Sequence, residues 1–568
     1  MGFMKHFRSR SKQKDKEKEK GKELRSDLYF PAYTGPDQTA RLPETVVKII
    51  FGYICPHSQD ETYEPNESSM ITEGCMLCDL RDLSNCSLVK QQWYPWASSM
   101  LYHSVRIDAV HYCELEEIYT ERRRRNTRNH EPIDPPAVRL QLLSRTVREN
   151  AYCAAAVQFL KLPYMTRETC KADLARTVSV LPNLRYVDLP DGFFTGDTSS
   201  HTLRQELQAR CPHIRKMKYN AGSEQSLELL LYRHWQELEV MEVSKLQIEP
   251  TLLRQVLGIL PNLKHLTLAD LPWMNDSIFQ STSRIPNFPA MRTLTLKNVP
   301  NLTHQGLVQY LSRPETRESL TTLNLKDCTG IPVSNLHSVF WAASHLENFS
   351  IVLSATSSLS LEPLPPLASI TLRTMHYEIT SASSNQHSLY PPAYSYYQYL
   401  TNSLMSNSLP GLRTLYVRDH DFPETLTLAP PVVPFADSPQ YPSRGFQQEL
   451  QVYTKGLDEL EWVFTSVTPA DEYGRRGSLS GGRPLSSYSA SKGLGPQWGG
   501  EARRSIVVGN GFGGFLAVPV PDEERPRSAG SWAVPGKNGG AGGARSSWMS
   551  GGGGRERERR GSRVDLWR

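Results

Sequence analysis

A six-residue pattern, Leu-x-x-Leu-x-Leu with conservative swaps, returns along the middle of this 568-residue chain and restricts its folding more than any other feature. Copies begin at Val157 (VQFLKL), Leu184 (LRYVDL), Ile214 (IRKMKY), Leu238 (LEVMEV), Leu263 (LKHLTL) and Met291 (MRTLTL). Others begin at Leu320 (LTTLNL), Leu346 (LENFSI), Leu367 (LASITL), Leu412 (LRTLYV) and, in worn form, Leu460 (LEWVFT). Most successive starts are 21–30 residues apart, and the turns LPN, CPH or LPG introduce several of them. Segments between copies, such as TLLRQVLGI and HQGLVQYLS, carry apolar residues at helical spacing. A strand this short cannot bury its own apolar face, so neighbouring units must stack.

One strand and one helix per unit, repeated, build a solenoid, and the repeat length is that of leucine-rich repeats. The first, fourth and sixth positions of each unit point into a shared core. Strand alternation sends the third, fifth and seventh to the concave face. On this register the early units offer Tyr186, Asp188, Lys216, Lys218 and Glu242, and the central ones His265, Thr295, Asn324 and Lys326. The late units offer Arg373, Tyr416, Arg418, Trp462 and Phe464. Aromatic and Arg side chains dominate binding hot spots, so the late five are the expected substrate-binding residues. Two longer gaps interrupt the array. One holds Tyr390, Tyr394, Tyr396, Tyr397 and Tyr399, and the other is the Pro-rich TLAPPVVPFADSPQYPSRGF. The Tyr-rich stretch reads either as a loop reaching a binding face or as a linker packed on the outside.

The charge is divided along the chain. Net +6 over residues 1–26 and +7 over 468–568 leave −8 for the middle, although the whole carries +5. The repeat region therefore has no cationic excess to hold phosphates, and no nucleic-acid partner is expected for it. Both ends lack the apolar residues to build a core and are expected to be disordered, the later one rich in Gly, Ser and Arg. RNA contact through the Arg/Gly tail stays an alternative. Two RRGS motifs in the tail resemble sites of basophilic kinases. The basic start and ERRRRNTRNH at 121–130 read as solvated segments or localisation signals. No apolar run is long enough to cross a bilayer. The N-terminus has no apolar stretch for a secretory signal, and His6 replaces the residue that myristoylation needs. Nine scattered cysteines suit a reducing compartment, cytoplasm or nucleus.

Upstream of the repeats, RLPETVVKIIFGYI at 41–54 opens with Leu-Pro and an early Glu, as a helix start does. A polar insert, CPHSQDETYEPNESSMITEG, follows, then LCDLRDLSNCSLV and KQQWYPWASSMLYHSV. This succession resembles the F-box, and with the repeats behind it the chain resembles a fungal F-box and leucine-rich-repeat protein. The resemblance implies a three-helix module docking on the Skp-type adaptor of a cullin-RING ligase. Leu42, Pro43, Ile49, Ile50, Leu80, Leu83, Leu88, Val89 and Trp93 are its expected adaptor-binding positions, shared with the module's own core. The insert departs from the family pattern and is expected either to weaken that fit or to bulge from the side.

The expected fold class is thus α/β, a small helical module followed by a leucine-rich-repeat solenoid between disordered tails. The layout is 1–38 basic tail, 39–108 F-box-like domain with its insert at 55–74, and 109–155 linker helices. The solenoid follows at 156–467 and the second tail at 468–568. No nucleophile elbow, Walker loop, HExxH or dinucleotide fingerprint occurs, so a non-catalytic role is expected. Either a ligase substrate receptor or a scaffold acting without ubiquitination fits this pattern. No cofactor is expected. Cys75 and Cys78 nevertheless have chelating C-x-x-C spacing, and Cys55 or His57 with Cys86 are the candidates to complete a zinc site. The competing reading makes Cys78 and Cys86 small core hydrophobes.

Overall fold

The computed structural model describes residues 38–69, 74–109, 111–126, 134–194, 198–360, 364–382, 391–427, 446, 448–456 and 461–468. The expected tails, both RRGS motifs, Tyr390, Leu460 and the Pro-rich stretch through residue 445 lie outside these residues. Three helices open the fold: α1 (Glu44–Ile54), α2 (Met76–Val89) and α3 (Trp93–His103). Pro43 caps α1, its carbonyl accepting the Val47 N–H, and Glu44 pairs with Lys48 one turn on at 2.6 Å. Val47, Phe51, Leu80, Leu83, Ala97 and Leu101 from the three helices are buried together. Two further helices, α4 (Glu114–Asn126) and α5 (Pro135–Glu149), lead to the short α6 (Ala151–Ala156).

The rest is a mixed α/β solenoid. Strands β1 (Ser104–Arg106), β2 (Phe159–Lys161) and β3 (Tyr186–Val187) form a parallel sheet in chain order. A bond from the Arg215 N–H to the Arg185 carbonyl, 2.8 Å, carries the stack onward. Ten strands follow: β4 (Lys216–Tyr219), β5 (Val240–Ser244), β6 (His265–Ala269), β7 (Thr293–Lys297), β8 (Thr322–Lys326), β9 (Asn348–Ala355), β10 (Thr374–Ser381), β11 (Thr414–Val417), β12 (Leu450–Thr454) and β13 (Val463–Val467). They lie side by side in sequence order, parallel except for the last, antiparallel pair. Strand β1 pairs with β2 in register Ser104 to Phe159, so the sheet starts within the segment expected to be the helical module.

The repeat explains the architecture. In β5 to β8 buried and half-buried residues alternate, with Met241, Leu266, Leu294 and Leu323 stacked inward as consecutive rungs. Each fully buried Leu contributes about 1.5–3 kcal/mol, but only while the next unit covers it. Amphipathic helices close the convex side: Leu253, Val256 and Leu257 of Pro250–Ile259 and Leu307, Tyr310 and Leu311 of His304–Leu311 face the core. The turn after each central strand also repeats. Lys245, Asp270, Asn298 and Asp327 all have positive φ, and each donates its N–H to the next strand's carbonyl opposite the last residue of its own strand, at 2.8–3.1 Å. Asn and Asp tolerate that left-handed backbone better than most side chains.

Two expected units are corrected. LASITL at Leu367 is no strand; β10 begins seven residues later, with Leu372, Met375 and Tyr377 in the inward slots. The final copy at Leu460 is the antiparallel β13, and an unrecognised strand, β12, precedes it. The described part of the Tyr-rich stretch, from residue 391 on, is also neither loop nor linker. Residues Ala393–Met405 form that unit's convex helix, with Tyr396, Tyr397 and Tyr399 buried. Their hydroxyls donate to the Ser357, Ile379 and Pro365 carbonyls at 3.2, 2.9 and 2.6 Å. Tyrosine fits here because the ring fills the core while the hydroxyl satisfies backbone.

Candidate functional site

The front module has two apolar faces on one helix. Val47 and Phe51 of α1 point inward, and Phe51 packs edge-on against Trp93 at 5.4 Å. Val46, Ile49, Ile50 and Tyr53, spaced one helical turn apart, face out, with Ile49 59% and Tyr53 83% exposed. Leu42 and Pro43 before α1, and Leu88 and Val89 at the end of α2, are exposed as well. Eight of the nineteen large apolar side chains exposed among the described residues lie between Leu42 and Tyr94. That clustering distinguishes a contact surface from the scattered apolar residues of any protein. The nine expected adaptor positions divide. Leu80 and Leu83 are buried and Trp93 is half-buried on Phe51, so these three build the module and are corrected out of its outer face.

The insert after α1 neither bulges nor hangs from the side: its residues 60–69 enter the concave face at the first repeats. Asp60 meets the fully buried Lys161 of β2 at 2.6 Å, and Lys161 also donates to Thr62 and Ser69 at 2.8 and 3.0 Å. Burial alone would raise the Asp60 carboxyl, but hydrogen bonds from Lys161 and Thr62 hold it below the usual carboxylate range. The Tyr63 ring stacks on Phe159 at 6.0 Å and leans on Tyr186 at 6.1 Å. Lys216 donates to the Tyr63 carbonyl at 2.9 Å. The Asn66 amide caps Asp188 at 3.0 Å, and Glu67 pairs with Arg167 at 3.0 Å. Burial pushes the Asp188 carboxyl above the usual range, although Tyr186, Leu162 and Asn66 all donate to it. Tyr186 and Asp188 do sit on the concave side, but the chain itself covers them.

Past this plug the concave face is polar and then aromatic. Thr295 and Asn324 bond across β7 and β8 at 3.0 Å. At the far end Tyr416 stacks on Tyr453 at 4.7 Å, and Trp462 stands edge-on to Tyr416 at 5.3 Å. His376 lies 5.3 and 5.4 Å from those two rings, and Phe464 lies 5.3 Å from Tyr453. Charges border the cluster: Glu378 is 2.6 Å from His376 and 3.6 Å from Arg418, and Lys455 sits over Trp462. Of the five expected substrate-binding residues, the structure brings Tyr416, Arg418, Trp462 and Phe464 together. Arg373 does not join them. It occupies the second slot of its unit, where its N–H donates to the Glu347 carbonyl at 2.7 Å and its own carbonyl receives Arg413. The shifted start of β10 puts His376 and Glu378 on the concave face instead. A Leu-x-x-Met-x-Tyr match at Leu372 was the signal that would have found them.

The zinc candidates separate in the same way. Cys55 is buried in the core of the module, Cys86 packs against it, and His57 faces Asp79 at 3.4 Å. Cys75 and Cys78 are joined by Cys113, which sequence spacing does not single out.

No family model matches the sequence, and no curated protein matches it. Among solved structures, the crystal structure of the yeast Rad7 and Elc1 complex matches at 13% identity and a TM-score of 0.32, over 60% of this chain and 92% of that one. A likeness of that size settles neither family nor function.

Proposed function

We propose that this chain is the substrate-recognition subunit of a cullin-RING, SCF-type ubiquitin ligase, an F-box protein whose leucine-rich repeats hold the substrate. The observation that carries the reading is the second apolar face of α1. A helix that already buries Val47 and Phe51 gains nothing in water from also presenting Val46, Ile49, Ile50 and Tyr53. A Skp-type adaptor is the occupant that the Leu-Pro entry and the α1–α3 succession call for. The aromatic end of the concave face is the substrate surface. Its rings have the composition of binding hot spots, and Tyr416, Tyr453 and Trp462 are partly exposed while Phe464 is exposed.

The chain's part is then tethering. Holding adaptor and substrate on one rigid body raises the effective concentration of a substrate lysine at the ubiquitin carrier, and the bond chemistry belongs to the partner enzymes. The plug between module and solenoid serves this role, because a flexible joint would dilute that concentration. The test is co-expression of the full chain with a Skp-type adaptor. The adaptor is expected to co-elute with wild type, and Ile49→Glu with Ile50→Glu is expected to lose it without a change in melting temperature. Both substituted side chains are exposed, so the fold has no reason to suffer. Equal adaptor recovery with that variant overturns the proposal.

A further inference from the structure

We propose that Cys75, Cys78 and Cys113 bind one zinc ion, which staples the start of α2 to the start of α4. Their three sulfur atoms lie within 4.8 Å of one another. Two come from a C-x-x-C stretch, and the third stands 35 residues after Cys78 in the chain. Convergence of thiols so distant in sequence is not a by-product of helical spacing. None of the three is a core residue: each is only half-buried, whereas the buried cysteines Cys55, Cys153, Cys211 and Cys328 sit singly among apolar side chains. Small hydrophobes would be expected inward, as those four are.

All three cysteines stand at or next to a helix N-terminus. Cys75 is the cap of α2, its carbonyl accepting the Asp79 N–H at 3.0 Å, and Cys78 lies in the first turn. Cys113 precedes α4 in the same way, its carbonyl accepting from Glu116 and Glu117 at 3.0 and 3.3 Å. The N-termini of two helices thus stand beside the sulfurs, while burial and the neighbouring Cys75 and Cys113 push the Cys78 thiol up to about 12. Three thiolates repel one another unless a cation stands between them, and zinc is the common divalent ion that prefers such soft ligands in tetrahedral array. The fourth position goes to water or an incoming ligand. Binding balances simply: three S–H bonds are replaced by three S–Zn bonds, and the protons pass to the buffer.

The site deepens no part of the ligase reading and stands or falls apart from it. Full-length protein purified without chelator is expected to carry about one zinc by elemental mass spectrometry. Cys113→Ser is expected to reduce this at least tenfold, while Cys86→Ser, outside the cluster, leaves it unchanged. Should Cys113→Ser fold poorly, the wild-type chain stripped by chelator and reloaded with cobalt gives an independent readout. Intense thiolate-to-cobalt charge-transfer absorption is expected, and its absence refutes the site. Zinc retained fully by Cys113→Ser also refutes it, as does a Cys75–Cys78 disulfide found in wild-type protein purified under reductant.

Discussion

The two ends of one concave sheet present opposite surfaces. At β2 to β4 the inner side is filled by the chain's own residues 60–69, down to a buried Asp60–Lys161 pair. At β10 to β13 the same side carries a partly exposed ring cluster built on Tyr416, Tyr453 and Trp462. Strand direction does not account for the difference, since β10 to β12 pair in parallel as β2 and β3 do, and only β13 runs antiparallel. Covering does. Alternation tells which side of a sheet a residue faces, whereas what lies on that side comes from a distant segment. The closed end joins module and solenoid through polar contacts, and the open end is the surface proposed to bind substrate.

The largest effect is expected at the closed end. Asp60→Ala strands the Lys161 ammonium, fully buried, without its carboxylate. Removing one partner of a buried pair costs about 3–5 kcal/mol, whereas Asp60→Leu combined with Lys161→Met is expected to recover most of that. Urea unfolding of the full chain followed by tryptophan fluorescence measures both, and equal stability of the single and double variants would contradict the plug. The pair also sets a pH response. Because the folded state lowers the Asp60 pKa, its stabilisation is complete above the ordinary Asp range and is lost as pH falls through the lowered value. Acid unfolding midpoints of wild type and the double variant should therefore differ in sensitivity below about pH 4.

At the open end the balance reverses: little stability is at stake, and binding is. Tyr416→Ala with Trp462→Ala removes two half-exposed rings, and central interface rings of this kind cost 2 kcal/mol or more apiece on truncation. Capture of substrate by the full chain in proteasome-inhibited cells, quantified by mass spectrometry, is expected to fall by about 30-fold for either change alone and further for the pair. Unchanged capture would move the substrate surface off this cluster. The same pair of changes is expected to leave adaptor recovery intact, which separates the two faces of the molecule.

These contrasts also explain which parts were legible in sequence. The strands from β4 to β9 announced themselves because inward slots hold Leu, Ile, Val, Met, Phe or, at Tyr219, Tyr at a steady period. The outer stripe of α1 was readable for a similar reason: Ile49 and Ile50 sit on a helix whose inner face is already apolar. Polar long-range pairings left no such trace. Nothing periodic links Asp60 to Lys161 or Cys113 to Cys75, and each of those contacts spans many residues of intervening fold. β12 was hidden differently, as a short strand placed after a Pro-rich stretch where the spacing had already lapsed.

The finest separation falls on neighbouring residues of one strand entry. Leu367 and Leu372 are five residues apart and both buried, and LASITL satisfies the pattern better than LRTMHY. The first choice puts Arg373 on the concave face; the actual register puts His376 there, against Tyr416 and Trp462. Arg373→Ala should then change substrate capture less than twofold and stability by no more than about 0.5 kcal/mol, since its backbone bonds to Glu347 and Arg413 survive truncation. His376→Ala removes a ring from the cluster and its 2.6 Å contact with Glu378, which keeps Arg418 at 3.6 Å. A loss of about tenfold in capture, or 1.4 kcal/mol, is expected. If the two variants exchanged these outcomes, the substrate would be held along the edge of the sheet between Glu347 and Arg413, not across its face.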